Sequence, residues 1–485
     1  MKRFVAFFLL ASAASAAEWT QWRGDNRNGV AASGPALVET LPAAGLKPVW
    51  LSEKIPAGND GGWGSPVVAD GKVYVFAHTR AQQSDKQLPE RKFPYLADDK
   101  RGHLTAEQYA EYEKNRREED LLRGSFFNYQ EVLYCFDAGT GKTAWKRELK
   151  SVYTRFLQSG TPTVVDGRIY VLGAARMARC FDAKTGEVVW EQRLPGEFTD
   201  EFMMSSFAVV DGVAVVLCGH LMGLEAATGK LLWEGDVQKT RGTHSSPTVW
   251  TGGGRPLVIA NAGGEDTICV DPRTGAELWR VKTSGGQSTP VIVGNRMITL
   301  ANQRRGGLRA FELSLTEAKP LWTYQRVADK GSSPLVVGNH VYAQGERRVC
   351  CVNLETGEEA WSDSLDLGNP QYTSLVAADG KVYYACEGLM WFAADPQNFR
   401  LLLEGKIDKS GVLATKAAIR ARLNMDELEK TPEGLDKANK LYAQEVGQHG
   451  PLACASPAIA GGRLYIRLKQ AIACYDLTET AVAAK

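Results

Sequence analysis

Few groups in this chain of 485 residues have the spacing of a reaction centre. The sequence contains no H-E-x-x-H metal motif, no G-x-S-x-G nucleophile elbow and no C-x-x-C pair. Glu265 and Asp266 are adjacent carboxylates that could hold a cation; the alternative is an ordinary solvated loop. His244 could titrate or bind metal, or serve as polar lining. Arg155, Arg304 and Arg305 could meet an anion. There are nine cysteines, with Cys350 and Cys351 adjacent. An odd number in an exported chain would by itself suggest disulfides plus a free thiol.

What must position these groups is a repeat. The phrase CFDAKTGEVVW runs from Cys180 to Trp190. Variants run from Cys135 to Trp145, Gly223 to Trp233, Cys269 to Trp279 and Cys351 to Trp361. Looser copies run from Ala310 to Trp322 and from Ala393 to Leu403, and a copy starting at Cys474 is cut short. Each is preceded by a small residue, a Ser or Thr, usually a proline and a β-rich run. The proline position is held by Pro66, Pro162, Phe207, Pro247, Pro290, Pro334, Leu375 and Pro457.

Val, Ile and Tyr runs broken by Asp-Gly or Gly-Asn predict strands joined by tight turns, and D-x-x-T-G predicts a second turn. Each unit is then four short antiparallel strands, A to D, with a tryptophan on strand D to fill the wedge between neighbouring sheets. Such units cannot bury both faces alone and stack radially. The expected fold is an all-β, eight-bladed β-propeller, with seven blades as the alternative if the seventh unit is too degenerate. The last copy lacks strand D, and GLKPVW, ending at Trp50, is an orphan strand that would complete it and close the ring. The first docking position alternates between Cys, Ala and Gly, so the cysteines there read as inert small packing residues. Equivalent positions in different blades lie too far apart for disulfides.

The residue three before each blade start should lie at the channel mouth. In order it is Trp63, Ser159, Met204, His244, Gln287, Gly331, Tyr372 and Cys454. The next residue is always small and the one after is always Ser or Thr. A diverse column beside two uniform ones is the pattern of a binding surface on a repeated scaffold, or of a solvated channel. Two stretches are too long for bare turns: about 80–130, between strands B and C of blade 1, and 407–452, between blades 7 and 8. Both are rich in helix formers, with Thr105 as a helix start. Both belong on the face that carries the mouth, where they are expected to meet as a lid or docking surface. Trp19 and Trp22, in the extension 17–44, are expected to plug against the propeller body.

Residues 1–16 have the parts of a cleaved signal peptide: Lys2-Arg3, an apolar run and Ala14-Ser15-Ala16. No cysteine follows the cleavage point, so no lipid anchor is expected, and the mature chain, with its propeller over 45–485, should be periplasmic or secreted. A net charge of +1 argues against a nucleic-acid partner, and no segment is apolar enough to span a bilayer. A monomer is expected.

The docking phrase closely resembles the tryptophan-docking motif of PQQ-like, quinoprotein-type propeller repeats, over roughly residues 45–476. The resemblance implies either of two functions. One is a non-catalytic binding or scaffold propeller of the cell envelope, as in the lipoprotein subunit of the outer-membrane assembly machinery. Its ligand or partner would sit at the mouth, on Trp63, Arg155, Ser159, Met204, His244, Gln287 and Tyr372. The other is a dehydrogenase of alcohols or sugars. It would stack PQQ on a tryptophan, cover it with a disulfide between adjacent cysteines and hold Ca²⁺ with acidic and amide side chains, for which Glu265 and Asp266 are the candidates. Cys351 falls inside a strand rather than in a covering loop, and no haem signature C-x-x-C-H occurs.

Overall fold

A computed structural model describes residues 18–365 and 372–483. The signal-peptide reading of 1–16 lies outside the described residues. The strands form eight antiparallel sheets, one per repeat unit. Blade 2 is representative: strands Thr163–Val165, Arg168–Leu172, Met177–Asp182 and Val188–Arg193 pair in that order. Blade 8 takes its strand D from the start of the chain, since Trp50 pairs with Cys474 and Leu51 with Ala473. The ring is therefore closed by a clasp between the two ends of the chain, and the last C strand is not left as a bare edge.

The tryptophan phrase works as a lock between blades. Trp190 of blade 2 donates its indole N–H to the Ala226 carbonyl of blade 3, at 3.0 Å. Trp233, Trp279, Trp322 and Trp361 make the same bond to the next blade. Trp50 makes it across the closure, to Ala138 of blade 1. Gly229, at φ +75°, lies directly under the Trp190 indole, and a Cβ there would come within 2.5 Å of it. The T-G of the phrase is thus required twice, for its positive φ and for its missing side chain. The first docking position faces the tryptophan across the ladder, as in Cys180 opposite Trp190 and Gly223 opposite Trp233. A Cβ at Gly223 would come within 2.2 Å of the Trp233 ring, so blade 3 as packed takes glycine where other blades fit Cys or Ala beside the indole.

Blade 7 corrects one detail of register. Trp391, not Ala393, stands opposite Leu403. The indole here comes from strand C, is fully buried, and donates to the Glu39 carbonyl of the N-terminal segment. The longer C–D turn, as in blade 5, accounts for the two-residue offset.

The Ser/Thr column stitches the blades together. The backbone N–H of Ser65 donates to Thr161 Oγ1, that of Thr161 to Ser206 Oγ, and so on through Ser246, Thr289, Ser333 and Ser374. Ser456 N–H donates to Ser65 Oγ and joins the last blade to the first. The missing link falls between blades 7 and 8, where Ser456 Oγ is buried without a partner. There Cys454, at φ +70°, donates to Thr373 Oγ1 instead, immediately after the second insertion.

The N-terminal segment runs beneath the ring. Trp19 is buried and exchanges backbone bonds with Val68 of blade 1. Arg27 donates to the carbonyls of Ser206 and Phe207 in blade 3 and Pro247 in blade 4. Arg23 donates to those of Pro334 in blade 6 and Leu375 in blade 7. Ala31 then bonds Ala377 of blade 7, and Val38 bonds Leu477 of blade 8. Burial pulls both guanidinium pKa values down to about 9, which leaves them charged at neutral pH, neutralised in part by the carbonyl dipoles that ring them.

Candidate functional site at the channel mouth

All eight residues of the diverse column line one channel cavity, together with Trp22. Trp22, half-buried in the segment that crosses beneath the ring, supplies its floor. Trp63 donates its backbone N–H to Ser159 Oγ at 3.0 Å, and that hydroxyl donates to the Leu157 carbonyl at 2.8 Å. Met204 N–H bonds the Thr243 carbonyl. Tyr372 is held at φ +64° by its N–H bond to Asp329 Oδ1, which also accepts from Gly331 and Ser332. Gly331 gives the Tyr372 ring its room, since a Cβ there would come within 2.3 Å. The side chain of Asp329 is therefore occupied in shaping the loop that carries Tyr372.

One side of the mouth deepens into an apolar cup of 230 Å³ between Trp63, Phe156, Phe202, Met204 and Tyr372. Phe156 and Phe202 meet edge to face at 4.9 Å, and Phe202 meets His244 edge to face at 5.2 Å. His244 Nδ1 lies 2.7 Å from Thr243 Oγ1. Burial pushes its pKa down to about 4, so at neutral pH the imidazole is uncharged and acts as an aromatic wall. Phe156, Leu157 and Phe202 were not singled out from sequence. The signal available was an aromatic two or three residues ahead of the column in the D–A connections of blades 1 and 2.

Other candidates lie elsewhere. Glu265 and Asp266 sit at the B–C connection of blade 4 and line neither cavity. Glu265 is paired with Lys282 at 2.7 Å and Asp266 with Arg280 at 3.1 Å. Arg155 stands beside the cup, bonded through two nitrogens to Asp200 at 3.2 Å. Arg304 is exposed and paired with Glu346. Among the described residues all nine cysteines are free thiols. Cys350 and Cys351 point to opposite faces of strand Arg348–Asn353, into separate clusters, and burial raises both thiol pKa values, Cys350 to about 12.

The two insertions share the mouth face and are built differently. In the first, strands Lys72–Gln82 and Phe127–Asp137 extend outward to carry helix α1 (Ala106–Gly124), capped reciprocally by Thr105 and Gln108. The second adds strand Leu413–Thr415 to blade 7 and continues as α2 (Lys416–Arg422), α3 (Met425–Leu428) and α4 (Pro432–Tyr442). It rests on blade 8, with Leu452 and Lys469 N–H groups bonding the Arg467 and Gly450 carbonyls. Residues 52–62 run between them, held by Ile55 N–H to Gln470 and by the buried Arg467 to Pro56 and Gly61. Among the described residues no hydrogen bond or ion pair joins 83–126 to 408–452.

The repeat extends into a known family. A family profile described as outer membrane protein assembly factor BamB, built on PQQ-type repeats, matches residues 126–270 and 218–386, together more than half of the chain. The chain belongs to this family. BamB of Alkalilimnicola ehrlichii is 28% identical over 130 residues, which are 24% of this chain and 32% of that protein. The match thus spans about a third of the curated relative. Among solved structures, quinohemoprotein alcohol dehydrogenase from Comamonas testosteroni superposes with a TM-score of 0.53 at 13% identity, over 96% of this chain and 82% of that one. BamB from Moraxella catarrhalis gives 0.48 at 13%, over 72% and 89%. Identity this low speaks to the fold alone. Among the described residues no helix is long and apolar enough to cross a membrane.

The residues at the mouth do not form a cradle for PQQ with Ca²⁺. Among the described residues no carboxylate lines the channel cavity or the cup to serve as an anionic ligand for a cation. Among the described residues no lysine or arginine lines either one to meet the cofactor's carboxylates. The adjacent cysteines are buried between blades rather than placed over the channel.

Proposed function

We propose that this protein is an exported, non-catalytic binding or scaffold propeller of the cell envelope, with its partner or ligand seated at the channel mouth. The observation that carries the reading is the convergence of the one variable column of an otherwise uniform repeat on a single cavity with an apolar cup beside it. Membership of the BamB-type family supports a protein partner in the envelope. The aromatic lining supports binding, because large rings give contact area at small entropic cost. The test is a photo-crosslinking amino acid in place of Trp63, compared with one at Val249, exposed on the opposite face. A specific adduct with an envelope protein from the mouth alone is expected. No adduct, or an equal one from Val249, overturns the reading.

The alternative is a PQQ and Ca²⁺-dependent oxidoreductase of alcohols or sugars, which rests on the repeat and on fold likeness. Equilibrium dialysis of the mature chain against PQQ and Ca²⁺ separates the two. Stoichiometric uptake followed by reduction of an artificial acceptor with an alcohol would replace the binding reading.

A further inference from the structure

The cup opens sideways into a groove of 910 Å³ that runs between the mouth and the first insertion, sharing Trp63, Phe156, Leu157 and Tyr372 with it. Among the described residues its walls carry Arg80, Arg91, Arg116, Arg123, Arg155 and Lys330, against one lining carboxylate, Asp120. Arg80, Arg116 and Arg155 are braced from behind by Asp60, Glu113 and Asp200. Arg123 and Lys330 have no carboxylate within 4 Å among the described residues, and Lys330 is exposed. Aromatic rings alternate with these cations: Arg80 stacks over Phe127 at 5.0 Å, and Tyr95, 66% exposed, lies under Arg101 and Arg116.

Three features of this groove define its occupant. The surplus positive charge calls for an anion, since rim charges select partners of opposite sign. The cations are spread along the walls, four of them braced by carboxylates and Arg123 and Lys330 not, which suits charges spaced along a chain rather than one convergent headgroup. The groove alone is at the upper end of small-molecule pockets, about 300–1,000 Å³, and the cup adds an apolar terminus.

We propose that the groove and cup bind an extended acidic peptide segment, with one aromatic side chain of that segment inserted between Phe156, Phe202 and Met204. This rests on the mouth being a binding site and specifies what it takes. The probes are short fluorescein-labelled peptides carrying one tryptophan flanked by glutamates, by serines or by lysines, titrated into the mature protein by anisotropy. The acidic peptide is expected to bind best, with affinity falling as salt rises. Phe156→Ala and Lys330→Glu, both at exposed positions, should each weaken it by about three- to ten-fold, while Lys330→Glu leaves the serine peptide unchanged. Equal binding of the three peptides overturns the proposal, as does tighter binding of a sulfated oligosaccharide or indifference to Lys330→Glu. If every peptide fails while the crosslinker at position 63 still captures an envelope protein, the peptide class is wrong and the binding mouth stands.

Discussion

Gly229→Ala tests the lock between blades in a way that separates strain from contact. Two glycines of blade 3 have nearly the same backbone: Gly212 at φ +73° and Gly229 at φ +75°. Around Gly212 nothing lies within 4 Å of an added Cβ, whereas at Gly229 the Trp190 indole lies 2.5 Å away. Gly212→Ala should therefore show the left-handed penalty alone, about 1–2 kcal/mol. Gly229→Ala should show that penalty plus about 1–3 kcal/mol for displacing a packed ring. Trp190→Ala should cost about 3–5 kcal/mol for a buried aromatic. The Ala226 carbonyl adds little to this, because it keeps its bond from Tyr170 Oη. In the double variant the ring is gone, so Gly229→Ala should fall back to the Gly212→Ala value, giving a coupling of about 1–3 kcal/mol. Guanidinium unfolding followed by far-UV circular dichroism reads all four variants without depending on tryptophan emission. Additive effects at Gly229 and Trp190, or equal effects at Gly212 and Gly229, would refute the reasoning.

Three further outcomes follow from particular contacts. Ser246→Ala should destabilise by about 1–3 kcal/mol because the Ser206 N–H loses its acceptor, whereas Ser456→Ala, whose Oγ has no partner, should be close to neutral in the same melts. Arg27→Met strips the donor from three blade carbonyls and should cost about 3 kcal/mol, with the N-terminal segment becoming sensitive to limited proteolysis while the blades stay intact. His78 and His244 are both lowered from 6.5 to about 4 by burial. The unfolded chain takes up protons that the folded one refuses, so stability should be full above pH 6.5 and fall between 6.5 and 4. The slope should reach up to about 1.4 kcal/mol per pH unit for each ring, and His244→Phe should shallow it; a pH-independent melting temperature over that range would contradict this.

The ring was legible because its locks are spelled in the sequence. The Trp190–Gly229 contact needs one indole and one bare Cα at fixed spacing, and few residue types satisfy it, so each copy announces itself. Trp50 as the closing strand followed from the same arithmetic, and the mouth column from counting back from each proline. The cup was not legible, because Phe156 and Phe202 come from D–A connections of different length that obey no repeat. Nor was the course of segment 52–62 at the mouth, since it is held by Arg467, a buried charge with no signature beyond its type. The shift from Ala393 to Trp391 was hidden because exchanging large and small residues across a ladder leaves composition unchanged.

The clasp in blade 8 has a consequence in time. Ser52 Oγ and the Ile472 N–H that it receives are 420 positions apart in the chain. A ribosome delivers the first of these long before the second. Until the late residues arrive, the early strand Trp50–Leu51 has no partner, and seven blades stand as an incomplete crescent with bare ends. Assembly is therefore slowest and most exposed to wrong pairing at its last step. That interval is when a chaperone, or the matching end of another nascent copy, would find the molecule open.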